Sequence, residues 1–126
     1  MRVLIDTSVW VDHFRHGNAQ LTNLIGLDLA ITHPMVIMEI ACGTPPAPRT
    51  QTLDSFSLLQ QCNQTSLAEA MALIEREKLY GLDCGLVDIT LLASTLTTPS
   101  TQLWTLDKRL ARLAEKFDIA HHPALH

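Results

Sequence analysis

What most restricts this chain is a rhythm: short apolar segments of strand character alternate with helix-patterned segments from one end to the other. Residues 2–5, 29–32, 58–62 and 102–105 read as strands, with a last short one near Ile119. Between them, residues 8–15, 21–25, 50–56, 67–79 and 108–117 read as helices, as do PMVIMEIACG, opened by Pro34 and ended by Gly43, and LVDITLLASTL. The clearest is 67–79, where Ala68, Met71, Ala72 and Ile74 oppose Glu69, Glu75, Glu77 and Lys78. Strands this short and apolar on both faces are typical of parallel sheets covered by helices on two sides. The rhythm predicts an α/β fold, a three-layer α/β/α sandwich with a central parallel sheet. Repeats and low-complexity segments are absent and TPPAP is too short to separate domains, so residues 1–126 read as one domain.

Several classes drop out early. No apolar run approaches the ~20 residues that span a bilayer, and Asp6 and Asp12 interrupt the opening stretch, so neither a membrane anchor nor a signal peptide is expected. A cytoplasmic location follows. Cys42, Cys62 and Cys84 are odd in number, far apart and outside any CxxC, which argues against a disulfide framework or a structural zinc site. The net charge of −4, from 13 acids against 9 bases, on its face disfavours a polyanionic partner.

The acids themselves answer that objection. In open α/β sheets, ligands bind beyond the carboxyl ends of strands where the strand order reverses. Asp6 follows the first strand directly, and Asp107 follows the one at 102–105. Glu39 and Asp88 sit in strongly apolar helical segments. Each has a plainer reading. Asp6, Asp88 and Asp107 are good N-cap residues, and Glu39 lies either on a narrow solvent stripe or buried beside a compensating partner. Taken together, these carboxylates converge if the first strand lies beside 102–105. Several carboxylates cannot stay ionised side by side without a cation. An all-oxygen set selects a hard ion, Mg²⁺ or Mn²⁺. Setting these residues aside leaves as many acids as bases, so the negative balance is the site itself. Lys108, Arg109, Arg112 and Lys116 follow the last acid and Arg15 closes the first helix; they read as a solvated face or, for those beside the acids, as phosphate contacts.

In the order LIDTSVWVDHFR, MVIMEIACG, GLVDITLLAS and LWTLDKRL, these segments resemble the acidic blocks of the PIN domain family, most closely its VapC-type ribonuclease toxins of prokaryotic toxin–antitoxin pairs. The likeness runs from Met1 to about His121. It implies a PIN-like sandwich in which Asp6, Glu39, Asp88 and Asp107 hold Mg²⁺ or Mn²⁺, with Ser8 and Thr105 hydrogen-bonding the carboxylates or a bound water. Arg15, Lys108, Arg109 and Arg112 are then the candidate RNA contacts. The implied activity is metal-dependent endoribonuclease cleavage by activated water, leaving a 5′-phosphate and a 3′-hydroxyl. The implied partners are RNA, a cognate antitoxin that inserts a basic side chain among the carboxylates, and a second copy in a homodimer. Arg109 stands where some relatives carry a further acid, and Asp83 is close enough to Asp88 to rival it.

Two other classes stay open on sequence. A catalytically idle PIN-like scaffold would bind RNA or protein, and intact acids argue against it. A receiver-type phosphoacceptor domain needs an aspartate ending the third strand, and LLQQCNQ supplies none. The six histidines, His13, His16, His33, His121, His122 and His126, form no HExxH motif and read as surface residues.

Overall fold

The fold comes from a computed structural model that describes residues 1–123, so His126 lies outside the described residues. Strand β1 (Arg2–Ile5) leads into α1 (Thr7–His16) and α2 (Ala19–Gly26). Strand β2 (Ala30–Thr32) leads into α3 (Pro34–Cys42) and α4 (Arg49–Ser55). A 3₁₀ turn (Phe56–Leu58) precedes β3 (Gln60–Gln61), followed by α5 (Leu67–Glu77), α6 (Leu86–Leu96), β4 (Thr101–Trp104) and α7 (Lys108–Lys116). The sheet is parallel throughout, in the order β3-β2-β1-β4. A single parallel bridge, Leu103 to Ala120, extends it at the β4 edge, where the last strand was expected.

Burial explains why the sheet is parallel. Successive residues of β1 and β2 are all buried from Val3 onward, with no in–out alternation, so helices cover both faces. Leu4, Ile31 and Leu103, in adjacent strands, are at most 1% exposed and form the centre of the core. Helix α6 is buried from Ile89 to Thr95 and packs against β4, α5 and α7. The hydroxyls of Thr90 and Thr95 within it, and of Thr98 just beyond its end, donate to carbonyls four residues back, which lets polar residues sit in an apolar interior.

The third strand is present but shorter than the sequence expectation. Of residues 58–62 only Gln60 and Gln61 pair, both exposed, because β3 is an edge with β2 as its sole neighbour and Phe56–Leu58 is wound into the 3₁₀ turn. His33, 3% exposed at the start of α3, and His121, half-buried, are not the surface residues expected; the His121 ring packs 5.3 Å from that of Trp104.

The topology defines one crevice. After β1 the chain steps outward to β2 and β3, then returns to the opposite side of β1 for β4. The reversal therefore falls between β1 and β4, whose carboxyl ends stand level, with Ile5 paired to Trp104.

Candidate active site

Asp6 is the first residue beyond β1, and its N–H donates to the Trp104 carbonyl (2.9 Å), tying it to the end of β4. It is only 6% exposed. Its side chain caps α1 by accepting from the Ser8 N–H, a long 3.4 Å contact. The Ser8 hydroxyl donates to the same Oδ2 at 2.6 Å, and the Thr105 hydroxyl at 2.8 Å. Each hydroxyl has one proton, and both are directed at Asp6. As acceptors, Ser8 Oγ takes the Leu106 N–H (2.9 Å) and Thr105 Oγ1 the Asp107 N–H (3.0 Å). This mesh locks the end of β1 to the loop after β4 and fixes the Asp6 carboxylate, with Oδ1 as the atom available to a ligand.

Asp107 caps α7, its Oδ1 accepting from the N–H groups of Arg109 (2.9 Å) and Leu110 (3.1 Å). Glu39 is exposed, which resolves the alternative left by its apolar neighbours: α3 keeps a solvent stripe at Met38 and Glu39 while Val36 and Ile40 face the core. The Thr7 hydroxyl donates to Glu39 Oε1 at 2.6 Å. Thr7 was missed as a site residue; its position beside Asp6, at the first turn of α1, was the available signal. Asp88 is not an N-cap. It lies in the first turn of α6, its carboxylate reaching back to the Gly85 N–H at 3.4 Å.

Asp88 feels the other three acids. The Asp88 carboxyl is raised above its ordinary pKa chiefly because burial disfavours its charge; the hydrogen bond from Gly85 opposes this, and the charges of Asp6, Asp107 and Glu39 each add a lesser push upward. Asp83 instead stands in an exposed turn with φ of 61°, its carbonyl accepting from Arg109 Nη1 at 3.3 Å. Cys84, between the two, has its thiol pushed up by burial and then by Asp88 and Asp107, so it is no ready nucleophile.

Among the described residues, no three carboxylate, imidazole or thiol groups stand close enough together to close around one ion. The charges share a crevice without forming a complete ligand shell. That suits a hard cation that keeps water and substrate oxygens as its other ligands. The donor chemistry fits as well: the set is all oxygen, and a cation would relieve the repulsion that Asp88 experiences.

The basic residues surround this crevice unevenly. Arg15 shares a small cleft of about 200 Å³ with Glu39, Phe14 and Ile40. Lys108, Arg109 and Arg112 are exposed along α7, and Arg109 is turned toward the Asp83 loop.

The PIN domain family model matches residues 3–116. The chain is also similar to the protein named Ribonuclease VapC32 from two strains of Mycobacterium tuberculosis. It is 38% identical to each over 118 residues, which covers 94% of this chain and 94% of the relative.

Proposed function

We propose that this chain, which belongs to the PIN domain family, is a divalent-metal-dependent endoribonuclease acting as the toxin of a toxin–antitoxin pair. What supports the reading is that Asp6 and Asp107 follow the paired ends of β1 and β4, and that the charges of Asp6, Asp107 and Glu39 all act on Asp88. Similarity to a named ribonuclease across nearly the whole chain supports the substrate class.

In this reading Asp6, Glu39, Asp88 and Asp107 would hold Mg²⁺ or Mn²⁺. Such an ion, when bound, supplies Lewis acidity toward a phosphodiester and toward water. The chain's own residues do the positioning. Ser8 and Thr105 hold the Asp6 carboxylate by Oδ2. Thr7 steadies Glu39. Asp107 is anchored at the α7 N-terminus, whose amides favour negative charge. Arg15, Lys108, Arg109 and Arg112 would draw the phosphate backbone toward an acidic centre that otherwise repels it.

The same reading assigns a cytoplasmic site of action, a cognate antitoxin and self-association. No described helix is long and apolar enough to cross a membrane. Surface for protein partners is ample. A cleft of about 310 Å³ is lined by Trp10, Phe14, Phe56 and Leu58, and Leu67, Met71 and Leu86 are each more than half exposed.

The test is RNA cleavage by the full chain with Mn²⁺, with Mn²⁺ plus excess chelator, and by Asp6→Asn with Mn²⁺. Cleavage is expected in the first alone. Undiminished cleavage under chelation or by the variant would overturn the reading.

A further inference from the structure

Beyond Thr105 lies an open trough of about 420 Å³. It runs on, through Gln20, His121, His122 and Pro123, into a second of about 480 Å³. Its near wall is Thr105 and Leu106, so it begins at the residue whose hydroxyl holds Asp6. Glu115 and His122 also line it, with Glu115 Oε1 3.8 Å from His122 Nε2. His121 lines both compartments, with its Nδ1 3.1 Å from Gln102 Oε1 and its backbone N–H donating to the Leu103 carbonyl at 2.9 Å. The His121 ring is therefore a fixed surface.

The charge of the trough says what it fits. Among the described residues lining it, Glu115 carries the one fixed charge, and Lys108, Arg109 and Arg112 line neither compartment. A channel for phosphates needs cations. An occupant here should be uncharged, flat enough to lie on an imidazole, and able to donate N–H groups to a carboxylate. Splayed bases of single-stranded RNA are recognised by such stacking and by hydrogen bonds on the Watson–Crick edge.

We propose that this trough is a base subsite for the RNA substrate, holding a guanine adjacent to the scissile phosphate against His121 with its Watson–Crick edge on Glu115. The inference rests on the ribonuclease reading and deepens it. Guanine is singled out because N1–H and the N2 amino group are neighbouring donors that one carboxylate accepts together. Adenine and cytosine each place an unprotonated ring nitrogen beside their amino group, and a carboxylate repels that nitrogen. Uracil offers one N–H flanked by carbonyls. The backbone-gripping Arg15 lies instead beside Glu39, so the two sides of the crevice would hold different parts of the strand.

The test incubates the full chain and Mn²⁺ with a random-sequence RNA pool and sequences the cut ends. A guanine preference at one position flanking the cut is expected. In Glu115→Gln that preference should fall about tenfold, because the amide opposes its own N–H₂ to the donors of the base. No guanine preference, or one unchanged by Glu115→Gln, overturns the subsite. If the pool is not cut at all, the ribonuclease reading has failed separately, and direct binding decides. Guanosine is titrated against the full chain while the His121 and His122 ring resonances are followed by NMR, with adenosine as the control. Shifts with guanosine alone, lost in Glu115→Gln, support the trough as a guanine site; no shift, or an equal response to adenosine, rejects it.

Discussion

At the residue scale, one carboxylate serves two ends. Capping and ligation look like rival uses of Asp6 and Asp107 in the sequence, yet capping engages a single oxygen of each. The cap aims the residue and the other oxygen is the one left to a ligand. Thr105 makes this testable, since its hydroxyl bridges Asp6 and the Asp107 amide. Thr105→Val keeps the shape and removes the bridge. We expect a fall of about 10–100-fold in metal affinity or activity, the usual effect of removing a group that orients a ligand. Mn²⁺ titrations of cleavage should show it, with Thr105→Ser restoring most of the loss; an unaffected Val variant would remove Thr105 from this role.

His33 gives a second test at this scale. Its Nδ1 accepts the Met35 N–H and caps α3, the helix that carries Glu39. Nδ1 is therefore unprotonated and Nε2 carries the hydrogen, buried without a partner among the described residues. Burial lowers its pKa below the ordinary 6.5. The unfolded chain then binds the proton more readily than the folded one. His33 thus contributes stability that is present above pH 6.5 and is lost as pH falls through 6.5 toward the lower folded value. Asn at this position keeps a capping oxygen and cannot titrate. Denaturant melts should show a shallower acid-side loss for His33→Asn than for the parent; parallel curves would exclude the linkage. His121, lowered chiefly by burial, adds a loss of the same sign and keeps the variant's curve from being flat.

At the element scale, helix α5 shows what local sequence can determine. Ser66 Oγ accepts the Glu69 N–H at 3.1 Å while Glu69 Oε1 accepts the Ser66 N–H at 3.2 Å, a reciprocal cap written in four consecutive residues. Ser66→Ala should destabilise the chain by about 1 kcal/mol in urea melts. RNA cleavage should be unchanged, since α5 contributes none of the four acids. A loss of activity without a loss of stability would contradict that division. The LVDITLLASTL segment was legible for a similar reason: its bounds as α6 are those of a largely apolar segment that follows Gly85, interrupted only by Asp88 and small hydroxyl residues. Strand β3 was legible in place but not in extent: it lies inside the expected 58–62, yet its pairing depends on β2, a partner distant in sequence, and the local pattern did not show that only Gln60 and Gln61 would join it. The site divides in the same way. Asp6 and Asp107 could be read from their places after apolar strands, whereas the link from Thr7 to Glu39 joins α1 to α3 and required coordinates.

At the scale of the whole molecule, the crevice is a place where folding works against charge. Closing the β1–β4 end buries Asp88 and sets it among the charges of Asp6, Asp107 and Glu39, acids from four separate parts of the chain, and both effects raise its pKa. The arrangement holds because a buried parallel sheet and the mesh among Ser8, Thr105 and Asp6 impose it. A divalent ion that binds only the folded state should reverse the balance. By mass action it raises stability by about 2.7 kcal/mol when present at a hundred times its dissociation constant. Thermal melts of the full chain should therefore move upward with added Mn²⁺ and return on chelation. Asp88→Asn should behave oppositely in the two conditions. Without metal it melts at or above the parent because one repelling charge is gone, and with Mn²⁺ it gains less. Should the parent show no upward shift at millimolar Mn²⁺, or should Asp88→Asn gain as much as the parent, the crevice would not be the divalent site on which the ribonuclease reading depends.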